Sequence, residues 1–215
     1  MKAYDWIVFD LDGTLVRSDR GIINCMRQVF SSYGVDVSGV DMTAYIGPPL
    51  TSTLAHFLGD KADEAIEQYR ALYAEKGTRE CELYPGVRNM LEALRGGYHL
   101  AVASAKIQRA AELVLTYTEI IDFFDCIVGS LPDGSRSHKV ESICCVLEQT
   151  GADPNRVLMV GDRDLDLIGA EKAGVRGLGV LYGYGPRDEL ERCSRIALAE
   201  TAADVVRILA GETAR

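Results

Sequence analysis

Two carboxylates, Asp10 and Asp12, stand two residues apart at the end of the short apolar run Trp6-Ile7-Val8-Phe9 and just before Gly13. Alternate side chains of an extended chain share a face, so both acids project to the same side at the C-terminal end of a strand. In open α/β sheets that end is where ligands bind. Acids this close repel unless a cation or a shared proton intervenes. The pair therefore points to hard-metal binding through oxygen, to a nucleophile beside an acid/base, or to both. The plainer alternative is an Asp-Gly turn carrying solvated acids. A second cluster, Gly161-Asp162-Arg163-Asp164-Leu165-Asp166, follows another apolar run. With a helix beginning near Arg163, Asp162 and Asp166 share a face while Asp164 turns away, although acids are also ordinary company for a helix's first turn.

Two more residues sit at strand-to-helix junctions. Ser104 ends the run His99 to Ala103, and Lys139 falls in the first turn of a helical stretch. Taken alone, Ser104 reads as a helix N-cap and Lys139 as a surface lysine. A cation at a helix start opposes the dipole, which hints at a nearby anion. As phosphate ligands, the Ser104 hydroxyl and the backbone N–H groups of Ala105 and Lys106 would hold phosphoryl oxygens at a helix start.

The elements that must position these residues follow from periodicity. Apolar residues at three- and four-residue spacing predict helices around Ile22 to Tyr33, Leu50 to Leu58 and Ala62 to Tyr73, with Ser18 or Asp19 as the first N-cap and Gly34 as its stop. Between about Asp19 and Gly77 no strand is expected. From Pro85-Gly86 onward the pattern alternates. A helix with Pro85 in its first turn gives way to a strand at His99 to Ala103 and a helix from Lys106 to Tyr117, then a strand at Cys126 to Gly129 and a helix from Ser137 to Thr150. Val157 to Val160 and Gly177 to Tyr182 are strands, with a helix between them ending at Gly174, and the tail has a weak strand at Ile196 to Leu198 and a helix from Thr201 to Ala210. Strands alternating with helices predict an α/β fold, a doubly wound parallel sheet covered on both faces and interrupted once by a helical block. The crossings near Val16 to Ser18 and Glu80 to Tyr84 are the expected hinges.

A chain of 215 residues with net charge −9 can bury a sizeable core, and its charge works against a sequence-independent grip on nucleic acid or an anionic membrane. A small anionic substrate would need a local positive site. The six cysteines lack a Cys-x-x-Cys pair and metal-like His spacing, so reduced thiols and a cytoplasmic location are expected. Neither a signal peptide nor a membrane segment is expected.

Asp10-Leu11-Asp12-Gly13-Thr14-Leu15, Ser104, Lys139 and the cluster at Asp162 to Asp166, in that order and each at the right junction, resemble the four motifs of the haloacid dehalogenase superfamily. Ile46-Gly47-Pro48-Pro49-Leu50, Asp133-Gly134-Ser135-Arg136 and Leu181-Tyr182-Gly183-Tyr184-Gly185 are similar to members labelled phosphoglycolate phosphatase or 5′-nucleotidase. Ala105 departs from a position that is often polar in relatives. The resemblance implies a Rossmann-like core at 1–16 and 81–215 with a helical cap at 17–80. It implies Asp10 as nucleophile, Asp12 as acid and base, and Ser104 with Lys139 as catalytic phosphoryl clamps aided by Ala105 and Lys106. Mg2+ would be bound by the Asp10 carboxylate, the Asp12 carbonyl and the Asp162 carboxylate, with Asp166 supporting the metal's waters or ligands. The implied activity is magnesium-dependent hydrolysis of a small phosphorylated metabolite (phosphoglycolate, a nucleoside monophosphate or a sugar phosphate) through an aspartyl-phosphate, by a monomer or weak homodimer. A dehalogenase has no need of Asp12. A β-phosphoglucomutase-like mutase and a non-catalytic binding protein remain rivals. The turn at Gly47-Pro48-Pro49, or the helix near Arg20 and Asn24, is expected to contact the leaving group.

Overall fold

The structure, a computed structural model, describes residues 3–211. Its strands and helices alternate as the periodicity requires. Trp6–Phe9 (β1) leads through Val16–Arg17 (β2) into three helices, Asp19–Ser32 (α1), Leu50–Leu58 (α2) and Ala62–Glu75 (α3). The chain returns through Glu82–Leu83 (β3) to Val87–Arg95 (α4), His99–Ile107 (β4), Gln108–Tyr117 (α5), Cys126–Ser130 (β5) and Lys139–Thr150 (α6). Val157–Gly161 (β6), Asp164–Lys172 (α7), Arg176–Val180 (β7), Arg187–Glu191 (α8), Leu198–Ala199 (β8) and Ala202–Leu209 (α9) complete it.

Six strands form one sheet in the order β5-β4-β1-β6-β7-β8, every pairing parallel. Parallel strands must be covered on both faces, and β1 shows how the sequence achieves this. Ile7 and Phe9 enter a core shared with α4, α5 and α9, while Val8 points the other way, into a core shared with α6 and α7. Strand order reverses on either side of β1. The crevice beside the carboxyl ends of β1 and β6 is therefore the topological switch point, where doubly wound sheets bind ligands. A third apolar cluster, built from α1, α2 and α3 around Phe30, Leu54 and Tyr69, reaches the rest of the molecule through Ala110 and neighbouring Ile107 and Tyr184.

Several local expectations are corrected. Strand β4 runs on to Ile107, so the following helix begins at Gln108 and not Lys106. The extension is tertiary in origin. β4 keeps pairing with β5 across a register shift between Ala103 and Ile107, the Ser130 hydroxyl donates to the Ala105 carbonyl, and the Gln108 side chain bonds Gly129 and Ile127. Pro85 lies outside α4, whose N-cap is Gly86 at φ +84°. Helix α8 carries no clear apolar period and was not expected, and the last strand is shifted to Leu198–Ala199. The two expected hinges are themselves paired, as the antiparallel ladder β2-β3. Among the described residues no helix is long and apolar enough to cross a membrane, and all six cysteines are free.

Candidate active site

Four of the sequence-derived candidates meet at the switch point. Asp10 follows β1, Asp162 follows β6, and Asp166 is in the first turn of α7, each buried and each offering a carboxylate oxygen within 4.8 Å of the others. Lys139, in the first turn of α6, brings its Nζ to 2.5 Å from Asp10 Oδ1, 2.9 Å from Asp166 Oδ1 and 2.8 Å from the Ala103 carbonyl. The lysine read from sequence as a possible surface residue is thus the buried counter-charge of the cluster.

Each acid is held by its neighbours. Asp162 accepts from the Thr14 hydroxyl at 3.0 Å and from the Tyr184 N–H at 2.8 Å, and Asp166 accepts from the Arg163 N–H at 3.0 Å. Two glycines give Asp162 its space. Gly13 sits at φ +95°, where a Cβ would collide with the Asp162 carboxylate, and a Cβ at Gly183 would strike Asp162 and the Gly13 carbonyl. The sequence therefore reserves this volume from two separate loops.

The electrostatics are those of an under-compensated anionic pocket. Burial, more than the Lys139 charge can offset, pushes the Asp10 carboxyl up to about 7, with the Asp166 and Asp12 charges adding to the rise. Burial and the Asp166 and Asp10 charges push Asp162 up to about 8. For Lys139 burial acts downward, but the Asp10 and Asp166 carboxylates outweigh it and hold the ammonium above its ordinary range. Three carboxylates against one ammonium leave an excess of negative charge that a hard divalent cation would balance through oxygen. The donor set contains neither sulfur nor imidazole. It fits Mg2+.

Asp12 stands apart from this cluster. Its carboxylate takes a hydrogen bond of 2.5 Å from the Ser18 hydroxyl and pairs with Lys106 Nζ at 3.0 Å. Lys106 also donates to the Tyr73 hydroxyl at 3.0 Å, which ties Asp12 to α3. Ser18 is consequently spent on Asp12 and does not cap α1 with its side chain. The Tyr184 hydroxyl takes that role and accepts from the N–H groups of Ser18 and Asp19 at 2.7 and 2.9 Å. Tyr184 thus touches both the metal-type aspartate and the start of the helical block. In the sequence it stands within Leu181-Tyr182-Gly183-Tyr184-Gly185, which resembles family members but assigns Tyr184 no role. Ser104 is buried and accepts from the Lys106 N–H at 3.2 Å within the extended end of β4. The helix start expected at Ala105 and Lys106 is absent, because β4 continues there.

A cavity of about 120 Å³ opens above Asp10, Asp12, Ser104 and Lys106 and is roofed by α1, α3 and the segment 45–51. The Gly47-Pro48-Pro49 turn lines it. Arg20 and Asn24 do not, since both engage Glu80, and α1 presents Ile22 and Met26 instead. Two arginines missed in the sequence tie the roof down. Arg163 reaches from the Asp162 loop to the Ile46 carbonyl at 2.7 Å while paired with Glu189, and Arg70 reaches from α3 to the Pro132 carbonyl at 3.3 Å.

A family model described as haloacid dehalogenase-like hydrolase matches residues 7–180. The chain is 38% identical over 199 residues to the tyrosine-protein kinase PtkA of Mycobacterium tuberculosis, which covers 91% of this chain and 68% of that protein. It is 36% identical over 192 residues to a 5′-nucleotidase of Pseudomonas aeruginosa, covering 87% of each. The solved haloacid dehalogenase-like family protein SP0104 of Streptococcus pneumoniae is similar with a TM-score of 0.91 at 32% identity, over 97% of this chain and 99% of that one. Fold, motif order and these likenesses agree: the chain belongs to the haloacid dehalogenase-like hydrolase family.

Proposed function

We propose that this chain hydrolyses a small phosphate monoester in two steps through an aspartyl-phosphate on Asp10, with Mg2+ as cofactor. The observation that carries this reading is the buried set of Asp10, Asp162, Asp166 and Lys139 at the switch point. Lys139 holds Asp10 Oδ1, which leaves Oδ2 as the attacking atom. Attack on phosphorus forms the acyl phosphate and breaks the ester P–O bond, while Asp12 protonates the departing oxygen. Asp12 then takes a proton from water as that water attacks the phosphorus, which releases inorganic phosphate and restores Asp10. Lys139 and Ser104 orient the phosphoryl oxygens. Mg2+ would be held by the Asp10 and Asp162 carboxylates and the Asp12 carbonyl, with Asp166 in support, and when bound it supplies charge neutralisation for the transferring group. Residues 17–80 act as the cap, with hinges at β2 and β3.

The deciding experiment is release of inorganic phosphate from a panel of monoesters, with Mg2+ and with chelator, alongside acid-quenched labelling of the protein. Label on the wild type and none on Asp10→Asn supports the mechanism. A labelled protein that returns phosphate only to a second sugar hydroxyl is a mutase. An unlabelled protein that binds phosphate esters without turnover is a binding protein.

A further inference from the structure

Tyr184 works at two places at once. Its backbone N–H donates to Asp162 Oδ2 at 2.8 Å, while its phenol oxygen, at the far end of the side chain, accepts from the N–H groups of Ser18 and Asp19 at 2.7 and 2.9 Å. The backbone end is clamped. Gly183 and Gly185 lie so close to Asp162 that a Cβ on either would strike it, and the Tyr184 ring meets Tyr84 edge-on with centroids 6.5 Å apart. The phenol therefore holds the start of α1 from a fixed base. Ser18 carries the constraint onward, because its own hydroxyl donates to Asp12 Oδ1 at 2.5 Å. Lys106 Nζ takes the other oxygen, Oδ2, at 3.0 Å. Two points of attachment fix the plane of a carboxyl group, and one leaves it free to pivot. Ser18 keeps Oδ1 as an acceptor, so Oδ2 is the atom that carries the proton in the proposed reaction, and Lys106 then retains the Tyr73 hydroxyl at 3.0 Å as its partner. Ser18 is fully buried, so bulk water does not replace an acceptor lost from its N–H, and an unpaired buried N–H is costly. Removing the phenol oxygen forces the start of α1, and Ser18 with it, to shift.

We infer that Tyr184 is a positioning residue for proton transfer: its phenol sets Ser18, and Ser18 sets the direction in which Asp12 presents its carboxyl to the leaving oxygen. This rests on the phosphatase reading with Asp12 as acid and base, and adds to it a residue that touches neither the substrate nor the transferred proton. Because the same residue holds Asp162 through its backbone, the metal-type aspartate and the proton donor are registered to each other, and the alignment depends on α1 being docked.

The test measures kcat/KM for two substrates on the intact protein with Mg2+: the best alkyl ester of the phosphate-release panel and the aryl ester p-nitrophenyl phosphate. An alkoxide must be protonated as its P–O bond breaks, whereas p-nitrophenolate leaves with little help, so the alkyl-to-aryl ratio reads proton delivery. Hydrolysis of the phosphoenzyme follows that cleavage and does not enter kcat/KM. Tyr184→Phe keeps the ring and the backbone N–H on Asp162 and removes only the hydroxyl. Its ratio should fall about tenfold, a part of the roughly 10²–10⁴-fold that a positioned acid contributes. Ser18→Ala should lower the ratio similarly, and the double variant should fall no further than the single ones, since the two residues act in series. If Tyr184→Phe lowers both esters by the same factor, leaves the ratio unchanged or does not fold, Tyr184 is a structural residue and the inference is overturned while the phosphatase reading stands. Single-variant losses that multiply in the double variant would also overturn it, because Tyr184 would then act by a route other than Ser18. If the wild type hydrolyses no ester, the phosphatase reading fails and takes this inference with it.

Discussion

As the proposed nucleophile Asp10 faces opposed demands: that role requires it ionised, yet burial pushes its carboxyl up to about 7. Lys139 works against that rise, and the amide of Asp10→Asn would keep the shape while removing the charge. This variant is expected to fold, to melt no lower than the metal-free wild type, and to lose turnover by several orders of magnitude. A variant that keeps more than about a tenth of the wild-type rate would remove Asp10 as nucleophile. Lys139→Met behaves differently, because it strands two buried carboxylates. Removing one partner of a buried pair costs about 3–5 kcal/mol, or roughly 6–20 °C in melting temperature for a chain of this size. Thermal melts of the metal-free protein check this, and an unchanged midpoint would mean that Lys139 is not the counter-charge. At this scale the sequence was highly legible for the acids, because Asp-x-Asp-Gly and the later cluster need only short-range periodicity to place them. Arg163, Tyr184 and Arg70 were not legible, since each acts on a segment tens of residues away or more.

Among the elements, the helical block and the sheet meet through a few directed contacts more than through a shared core. The β2-β3 ladder joins the crossings, Tyr184 caps α1, and Arg163 holds the segment before the Gly47 turn. Arg163 is paired with Glu189, so it is presented to Ile46 in a fixed orientation. Arg163→Met should leave the Arg163 backbone N–H on Asp166 intact while releasing the roof. The expected outcome is a fall of about tenfold in kcat/KM with little change in melting temperature, read with the preferred ester. A loss of stability without a change in kinetics would make Arg163 a structural tie. Periodicity found the elements because local apolar spacing forms them, and it placed β1, α1 and β6 close to their observed ends. It stopped β4 four residues early, because Ser104 to Ile107 are extended by pairing with β5 and by the Gln108 side chain, neither of which leaves a local pattern.

For the whole molecule, the excess negative charge of the buried cluster makes metal binding a matter of stability as well as rate. Asp10 and Asp162 titrate near 7 and 8 in the metal-free protein, whereas an unfolded aspartate titrates near 3.8. Between these values the folded state binds more protons than the unfolded one. Stability of the metal-free protein therefore falls as pH rises from about 4 to about 8, the reverse of the usual paired carboxylate. Mg2+, the proposed cofactor, would bind the deprotonated acids in competition with those protons, so its stabilising effect should grow over the same window. At a hundredfold excess over its dissociation constant a ligand specific for the folded state adds about 2.7 kcal/mol, or roughly 5–11 °C for a chain of this length. Melting curves of the dialysed protein should show that increment at pH 8 and only a small part of it at pH 5. The shift should vanish at both pH values in Asp162→Asn, which removes a charged ligand without opening a cavity. An equal shift at pH 5 and pH 8, or one that survives in Asp162→Asn, would place the metal elsewhere on this acidic chain.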